Sequence, residues 1–384
     1  MFSLPGSTRS DRRRISQAGF STKAAATDAE ARRRIEEHHK CELAKQGAET
    51  ARVPTSLASL FEEFFTQHVD MKLAPKTIEW YHEHKQYLDP ALLSMELPAI
   101  TPLILSREWI RLLERGGHHR RTHEPRPLSR KTVQNIAGVV SSAFKRAIKW
   151  GLVSTNPVAA SEPPIPKKRR GMALTPDQTR TLIAAATSPW CLGIFLDVCA
   201  ATGARRGEVL ALRWSDIQNG RLIIGRSLSQ TKQALSFKGT KTDSSERLVS
   251  LPASTVQKLE VHRAMQNQFR TQFGEDYRHD LDLLFAQVDG TPLKPDSVSA
   301  SVSALFKRLK FPTGASLHTL RHTHGSQLIA AGMELSVVSE RLGHSNSRVT
   351  AEVYTHAIHG RDDEAARRWD EFQNPLANRP GGLQ

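Results

Sequence analysis

The stretch that decides the fold of this chain reads S-L-H-T-L-R-H-T-H-G-S over residues 316–326, R-L-G-H over 341–344 and T-A-E-V-Y over 350–354. Mostly apolar residues separate the first two segments. Gly332 and Gly343 each follow an apolar run, and glycine in that place supplies the left-handed residue that ends a helix. The pattern therefore predicts two successive helices, the second ending just before Gly343.

Four side chains of this stretch form a candidate reaction site. His318 and Arg321 are three residues apart, so they share one face of a helix. His344 stands just past a helix end, on a turn that can aim it sideways, and Tyr354 follows in a short segment of its own. Together they offer a cation, a proton donor, a proton acceptor and a phenolic nucleophile, a set that suits reaction at a phosphodiester.

A second cluster lies upstream in the motif T-G-A-R-R-G-E. Gly203 relaxes the backbone there and turns the chain into a new helix that begins around Arg205. Glu208 lies three residues further on and on the same face, so it is predicted to hold the Arg205 guanidinium in one rotamer. Lys241, in the polar turn G-T-K-T-D-S-S, is the best-placed cation on a mobile turn, with Lys238 as the alternative for the same role.

Composition narrows the class of protein. The 384 residues carry 54 Lys+Arg against 39 Asp+Glu, a net charge of +15, which favours a polyanionic partner. Nucleic acid fits better than a membrane surface, because the basic residues do not lie opposite a long apolar stripe. Cys41, Cys191 and Cys199 show neither metal-ligand spacing nor a disulfide framework. With no apolar span or secretory signal, we expect a protein of a reducing cytoplasm.

Composition and helix signals divide the chain into five parts. Three prolines in S-E-P-P-I-P-K-K-R-R-G forbid both helix and strand pairing, so this segment is predicted to be a stiff basic linker. Helical apolar stripes precede it. The parts are a basic N-terminal arm and helix (1–52), an all-helical domain (53–160), the linker (161–171), a mixed α+β, mainly helical domain (172–373) and a flexible tail (374–384).

Local signals also place individual elements. Thr175-Pro176-Asp177-Gln178 has the cap, the N1 proline and the N3 glutamine of a helix start. A buried helix is predicted from Cys191 to Ala201. The strand-like pieces R-L-I-I-G, A-L-S-F and R-L-V-S-L-P then predict one antiparallel sheet of about three strands, with Lys241 in the last hairpin turn.

These motifs together resemble the tyrosine recombinase family of phage integrases. T-G-A-R-R-G-E with L-R-W-S-D-I, K-T-D-S-S-E-R-L-V-S-L-P, H-T-L-R-H-T-H-G-S, L-G-H-S and Tyr354 occur in that family's order and spacing. P-K-T-I-E-W-Y, S-R-K-T-V-Q-N and R-A-I-K-W-G-L-V-S-T-N-P are similar to its core-binding domain. The resemblance covers most of 53–373, and it implies a SAM-like helical bundle for 53–160 and a catalytic domain for 172–373.

The resemblance implies cleavage and joining of DNA without a metal or other cofactor. Carried onto this sequence, the catalytic set is Arg205, Lys241, His318, Arg321, His344 and Tyr354, with Glu208 in support. The tyrosine would attack the scissile phosphate to form a 3′-phosphotyrosyl bond while the two arginines grip the nonbridging oxygens. The lysine would protonate the leaving 5′ oxygen, one histidine (318) would take or orient the tyrosine proton, and the other (344) would bind the phosphate.

The implied partners are double-stranded DNA with inverted core sites and three further copies of the chain in a tetramer on that DNA. An accessory DNA-bending or excision factor fits the same scheme, and no membrane partner is expected. The N-terminal arm favours an integrase of a phage or other mobile element. Candidate DNA contacts are Lys76, Arg130, Lys131, Lys167, Lys168, Arg169 and Arg170.

The sequence also allows other interpretations. A type IB topoisomerase-like enzyme needs the same residues but no partner site, and a non-cleaving DNA-binding regulator needs none of the chemistry. The cluster His318, His322 and His324 lacks the carboxylate and spacing of a zinc site. Tyr277 is expected on an exposed loop. A helix with Trp369 on its apolar face packs either on its own domain or on a neighbouring subunit.

Overall fold

The computed structural model describes residues 53–119, 122–167, 171–239 and 246–344, with scattered positions in 2–36 and 351–373. The chain divides into two compact units, Met1–Pro166 and Lys167–Gln384. In the described part of the chain, no helix is long and apolar enough to cross a membrane. The predicted helix of the N-terminal arm lies largely outside the described residues. Lys241 and Tyr354 lie outside them as well.

The first unit is mainly helical. A pair of two-residue strands lies near its N-terminus, and a π-helical turn, Phe65–Val69, follows the helix Leu57–Phe64. The helices are α1 (Leu57–Phe64), α2 (Asp70–Lys72), α3 (Pro75–Lys85), α4 (Pro90–Ser94), α5 (Pro102–Arg115) and α6 (Arg130–Lys149). The strands are β1 (Phe2–Ser3), β2 (Arg14–Ile15), β3 (Gly117–His118) and β4 (Pro125–Arg126).

The apolar faces of these helices meet in one core. Ser56, Thr101 and Ser129 each cap a helix start by accepting a hydrogen bond from a backbone N–H in the first turn. Phe61 and Phe144 are among the largest fully buried side chains. Within residues 53–160, which were predicted to be all helical, the structure also contains strands. The basic loop after α5 is framed by the short antiparallel ribbon β3–β4.

The start of the predicted linker packs on this first unit. Ser161 is buried, and its Oγ accepts a hydrogen bond from Trp109 Nε1 at 2.8 Å. Its carbonyl oxygen accepts from Ser106 Oγ at 2.9 Å. Three residues of 3₁₀-helix, Ala159–Ser161, therefore belong to the folded unit, and the extended proline segment begins after them.

The second unit combines helices with two small antiparallel sheets. Its helices are α7 (Pro176–Ala184), α8 (Leu192–Thr202), α9 (Arg206–Leu210), α10 (Ala253–Phe273), α11 (Pro295–Arg308), α12 (Leu317–Ala330) and α13 (Leu335–Leu342). Its strands are β5 (Ile217–Gln218), β6 (Arg221–Ile224), β7 (Arg226–Gln230), β8 (Leu235–Gly239) and β9 (Arg247–Ser250).

The strand pairing corrects the single predicted sheet. β6 pairs with β5 on one side and with β9 on the other, so the three-stranded sheet has the order β5-β6-β9. The piece A-L-S-F instead falls in β8, which pairs only with β7 in a separate ribbon. Strand β7, which was not predicted, lies just before β8 in the chain, so the two pair as a short-range hairpin. Strand β6 cannot take β8 as a further neighbour, because β5 and β9 occupy both of its edges.

Helix α8 is the centre of the second core. It is mostly apolar all round, and Phe195, Leu196 and Val198 are buried among residues of the surrounding elements. Tyr277 also belongs to the interior, which contradicts its expected place on an exposed loop. Its hydroxyl accepts a hydrogen bond from Gln266 Nε2 at 2.9 Å, so a buried polar partner holds the ring inside.

Candidate active site

The site begins where α8 ends. Gly203 caps that helix with φ +65°, in the left-handed region that favours glycine. A Cβ atom at this position would lie 2.6 Å from Leu342 Cδ2 and 2.8 Å from His324 Cδ2. The end of α8 is therefore pressed against α12 and α13. This close approach brings Arg205, two residues later, toward the chain that follows α13.

Arg205 and Glu208 form a closed unit at the start of α9. Glu208 is buried, and its Oε1 accepts from Arg205 Nη1 at 2.8 Å while its Oε2 accepts from the Arg205 backbone N–H at 2.9 Å. The other guanidinium nitrogen, Nη2, donates to the Gly343 carbonyl at 3.3 Å. The Arg205 side chain is 47% exposed. Glu208 and the Gly343 carbonyl therefore fix one side of its guanidinium, while the other side is open to solvent.

Arg321 is the buried counterpart of Arg205. It lies one turn into α12 and keeps only 4% of its surface exposed. Its Nη1 donates to the Gly203 carbonyl at 2.9 Å, and its Nη2 donates to the Leu342 carbonyl at 2.7 Å. A single guanidinium thus ties together the ends of α8 and α13. Both arginines contact consecutive residues of one turn, Leu342 and Gly343.

His344 leaves that turn directly. Gly343 ends α13 with φ +65°, and the His344 backbone N–H donates to the Ser339 carbonyl at 3.1 Å. Burial lowers the pKa of the imidazole to about 4, with further lowering by the charges of Arg321 and Arg205. At neutral pH the ring is therefore uncharged and supplies one hydrogen-bond donor and one acceptor.

His318 completes the described part of the set. Burial lowers its pKa, and the guanidinium groups of Arg321 and Arg205 lower it further, although part of the residue is exposed to solvent. Its ring meets that of His322 edge to face, with centroids 4.7 Å apart. Of the six catalytic residues predicted from the sequence, the structure gathers Arg205, His318, Arg321 and His344 at the ends of α8, α12 and α13.

Among the residues that the structure describes, His324 belongs to no group of side chains that could hold a metal ion. Its Nδ1 lies 2.8 Å from the Ala200 carbonyl, which makes that nitrogen the donor, and its Nε2 accepts from Arg341 Nε at 3.0 Å. Burial lowers its pKa to about 4, and the charge of Arg341 adds to the effect. Both ring nitrogens are engaged by protein atoms, so the ring serves packing and orientation.

Two arginines of the site, the buried Arg247 and the half-buried Arg341, were missed from the sequence. Arg247 on β9 donates from Nη2 to Glu208 Oε2 at 2.8 Å and from Nε to the Arg341 carbonyl at 2.9 Å. Arg341 in turn donates from Nη2 to the carbonyls of Ala201 and Ser250, each at 3.0 Å. One signal for Arg247 was available in the sequence. Arg247 and Val249 lie two residues apart in a strand, so their side chains point to the same, buried face. A buried arginine needs hydrogen-bond acceptors or a negative charge beside it.

The comparisons with known proteins agree with this geometry. The sequence profile described as the phage integrase family matches residues 172–361. A protein named tyrosine recombinase XerC-like from Caldanaerobacter subterraneus subsp. tengcongensis is 26% identical over 324 residues, covering 79% of this chain and 80% of the relative. The ICEBs1 integrase of Bacillus subtilis is 31% identical over 249 residues, covering 64% of this chain and 67% of the relative.

The chain belongs to the phage integrase family. It is a tyrosine recombinase, an enzyme of the class that catalyses DNA strand cleavage and exchange. Solved integrases share its fold. That of the Tn1549 transposon, in complex with a circular intermediate DNA, has a TM-score of 0.65 at 19% identity, covering 83% of this chain and 100% of that chain. A lambda integrase bound to a core site has a TM-score of 0.57 at 19% identity, covering 78% of this chain and 95% of that chain.

One general-acid candidate of this recombinase lies on the β7–β8 ribbon. Lys238 is half-buried on β8, opposite Ser227 of β7. A Cβ at Gly207 of α9 would lie 2.6 Å from Ser227 Oγ, so the ribbon packs directly against the helix that follows Arg205. Lys241, the first candidate, belongs to residues 240–245, outside the described part of the chain.

The candidate DNA contacts of the recombinase occupy exposed positions where they are described. Lys76 on α3 pairs with Glu79 at 2.6 Å. Arg130 and Lys131 open α6, and Lys131 Nζ donates to Gln134 Oε1 at 3.0 Å. Lys167 is exposed at the end of the proline segment. The rest of the basic linker, Lys168, Arg169 and Arg170, lies outside the described residues.

Proposed function

We propose that this recombinase integrates or excises a mobile element by cutting and rejoining double-stranded DNA at specific sites, through a covalent 3′-phosphotyrosyl intermediate at Tyr354. The observation that carries the proposal is the convergence of Arg205 and Arg321 on the Leu342–Gly343 turn, immediately before His344. Two guanidinium groups and two neutral imidazoles then face one place, an arrangement suited to a phosphate with charge on its nonbridging oxygens.

The charges of the cluster support an anion as its ligand. Arg205, Arg247 and Arg321 contribute three positive charges against the single negative charge of Glu208, and the nearby imidazoles are neutral. Because these donors are already fixed by backbone carbonyls and by the carboxylate, they need little rearrangement when charge builds up on a pentacoordinate phosphorus. Arg205 offers the accessible face of this assembly.

The remaining roles rest on the sequence motif. Tyr354 attacks the phosphorus and displaces the 5′ oxygen, and Lys241 donates the proton that this oxygen needs. Lys238 is the alternative donor, since it lies on the ribbon that packs against α9. Neutral His318 accepts or orients the tyrosine proton, and neutral His344 donates a hydrogen bond to the phosphate. The reaction conserves the bond energy in the phosphotyrosyl link, so a 5′-hydroxyl of a second strand can reverse the attack.

The first unit is proposed to act as a SAM-like core-binding domain for DNA. Lys76, Arg130 and Lys131 are exposed cations on helices that are well suited to phosphate contacts. The basic linker, residues 167–170, would cross the DNA backbone between the two domains. Phosphate contacts of this kind position a protein on DNA without choosing its sequence.

Strand exchange implies an assembly on DNA. We expect a tetramer on paired duplexes with inverted core sites, together with an accessory bending or excision factor, in the bacterial cytoplasm. A lambda integrase that shares the fold has been solved as a tetramer bound to a Holliday junction, which supports the expectation for this chain. The segment around Trp369, helical at positions 366, 367, 369, 370 and 373, is the candidate for docking on a neighbouring copy.

A nicked suicide substrate tests the chemistry. Wild-type protein should form a covalent complex with the 3′ phosphate that survives denaturing electrophoresis. Tyr354→Phe should bind the same DNA without trapping it. Tyr87→Phe, at an exposed tyrosine of the first unit, is the matched control and should trap like wild type. Trapping by Tyr354→Phe would refute the assigned nucleophile.

The same substrates separate the alternatives. A topoisomerase-like enzyme would trap the nicked DNA and relax supercoiled plasmid that carries a single site. A recombinase would in addition exchange strands between two sites. A DNA-binding regulator would shift the DNA in a native gel and trap none of it.

A further inference from the structure

We propose that Arg247 is a positioning residue of the active site, which fixes Arg205 and the turn bearing His344 in one mutual geometry. The proposal rests on the proposed function, since it concerns the cleavage of the same DNA. Arg247 lies on β9, next to the strand that pairs with β5. Among its contacts with described residues, two carry the proposal, one with Glu208 and one with the backbone of Arg341.

The first contact reaches Arg205. Glu208 lies between the two arginines, with Oε1 bound to Arg205 Nη1 and Oε2 bound to Arg247 Nη2, each at 2.8 Å. Burial alone would raise the pKa of the carboxyl, but the hydrogen bond and charge of Arg247, helped by Arg205, hold it below its usual value. Glu208 is thereby kept ionised and in one orientation, which fixes the guanidinium of Arg205 from behind.

The second contact reaches the turn. Arg247 Nε donates to the carbonyl of Arg341 in the last turn of α13, at 2.9 Å. Gly343 packs so closely on the same guanidinium that a Cβ there would lie 2.8 Å from Arg247 Nη1. The residue after Gly343 is His344. A displacement of the Arg247 guanidinium would therefore move the turn that aims this histidine.

The contacts of Arg247 with Glu208 and with the Arg341 carbonyl complete a closed ring of interactions. Arg205 Nη2 donates to the Gly343 carbonyl at 3.3 Å, so Arg205, Glu208, Arg247 and the α13 turn are joined in a ring of hydrogen bonds. Three elements that are distant in sequence meet in it: α9, β9 and the end of α13. A planar guanidinium can serve two acceptors in different directions at fixed angles, whereas an ammonium group has no such fork.

Arg247 also preserves charge for the ligand. Without it, the carboxylate of Glu208 would be balanced by Arg205 alone, and the arginine facing the phosphate would be partly neutralised. With it, Arg247 and Glu208 form an ion pair whose side chains are only 4% and 5% exposed, so the pair is close to neutral. The full positive charge of Arg205 then remains available at the open side of the site.

The test uses full-length protein and the nicked substrate. Arg247→Lys keeps the positive charge but loses the planar guanidinium that can donate to two acceptors. Arg247→Met removes the charge at similar length, and the double variant Glu208→Gln/Arg247→Met replaces the buried ion pair by a neutral pair. Arg221→Met, at an exposed arginine of the neighbouring strand β6, is the matched control. For each protein we would measure thermal unfolding, the half-saturating concentration for DNA, and the single-turnover cleavage rate at saturation.

A positioning role predicts a split between binding and chemistry. For Arg247→Lys we expect a cleavage rate at saturation lower by about 10-fold to 100-fold, with thermal unfolding and half-saturation close to wild type. The double variant should recover stability relative to Arg247→Met while its cleavage stays slow. Wild-type cleavage by Arg247→Lys, or losses of cleavage that simply follow losses of stability and DNA binding, would overturn the proposal. Failure of wild type itself to trap DNA would instead refute the proposed function.

Discussion

Arg321 donates a hydrogen bond to the carbonyl oxygen of Gly203, at 2.9 Å and across 118 positions of the sequence. Its second nitrogen binds the Leu342 carbonyl at 2.7 Å. The carbonyls at the ends of two helices carry partial negative charge, so a buried guanidinium is well placed between them. Arg321 therefore both assembles the site and, in the proposed reaction, contributes to its positive potential.

Replacing Arg321 by lysine should show how much of its role depends on its two hydrogen bonds rather than on its positive charge. Lysine keeps the charge but cannot donate to both carbonyls with a planar fork. We expect the single-turnover cleavage rate to fall about 100-fold, measured on the nicked substrate. Arg278→Lys, at an exposed arginine paired with Asp280, should leave the rate unchanged. Equal rates for Arg321→Lys and wild type would contradict the assigned role.

Gly203→Ala should be far more damaging than Gly220→Ala. Both glycines have positive φ, +65° and +71°, so each substitution incurs backbone strain of ~1–2 kcal/mol. A Cβ at Gly220 meets nothing within 4 Å, whereas one at Gly203 meets Leu342 and His324 below 3 Å. We expect Gly203→Ala to lower the free energy of unfolding by about 2–5 kcal/mol, measured by urea denaturation. Equal losses of unfolding free energy in the two variants would contradict this expectation, because they would show that the protein accommodates the extra methyl group at position 203 at no energetic cost.

Acidification should destabilise the second unit. Burial lowers the pKa of His324 and of His344 to about 4, from the ordinary value of 6.5. Between these values the unfolded chain binds more protons than the folded one, so the free energy of unfolding should fall as pH drops from about 6.5 toward 4. The check is urea denaturation at several pH values. His324→Asn should show a shallower dependence, and an identical slope would exclude His324 as a contributor.

Removing residues 360–384 should weaken assembly more than binding to one site. The Trp369 side chain is 66% exposed, which suits a surface that another copy covers. We expect the truncated protein to bind a single site with affinity close to wild type and to form fewer paired-site complexes, measured by light scattering and native gels. Trp369→Ala is the point variant for the same comparison. Unchanged pairing of sites by both proteins would contradict the docking role.

Local signals predicted the elements that frame the site. The cap at Thr175 with Gln178 and the stop at Gly343 are confirmed, and the helix predicted from Cys191 to Ala201 is observed one residue later. Each signal depends on backbone groups within a few residues, so the sequence carries it directly.

Features that depend on distant partners were not predictable in the same way. The pairing of β6 with β9 spans the β7–β8 ribbon, and nothing local indicates that A-L-S-F turns away from that sheet. Arg247 resembles any strand arginine until Glu208 and the Arg341 carbonyl are brought to it. Tyr277 lies among polar neighbours in the sequence, and only the folded chain supplies the buried amide of Gln266.

The bond from Arg205 to Gly343 spans 138 positions, and the bond from Arg321 to Gly203 spans nearly as many. Contacts of such long range require the closure of large loops, and they form late relative to local helices. A chain still emerging from the ribosome, or a proteolytic fragment that ends before α13, lacks the Leu342–Gly343 turn on which Arg205 and Arg321 converge. In the proposed function, DNA cleavage therefore requires the complete second unit, since its groups come together only in the folded domain.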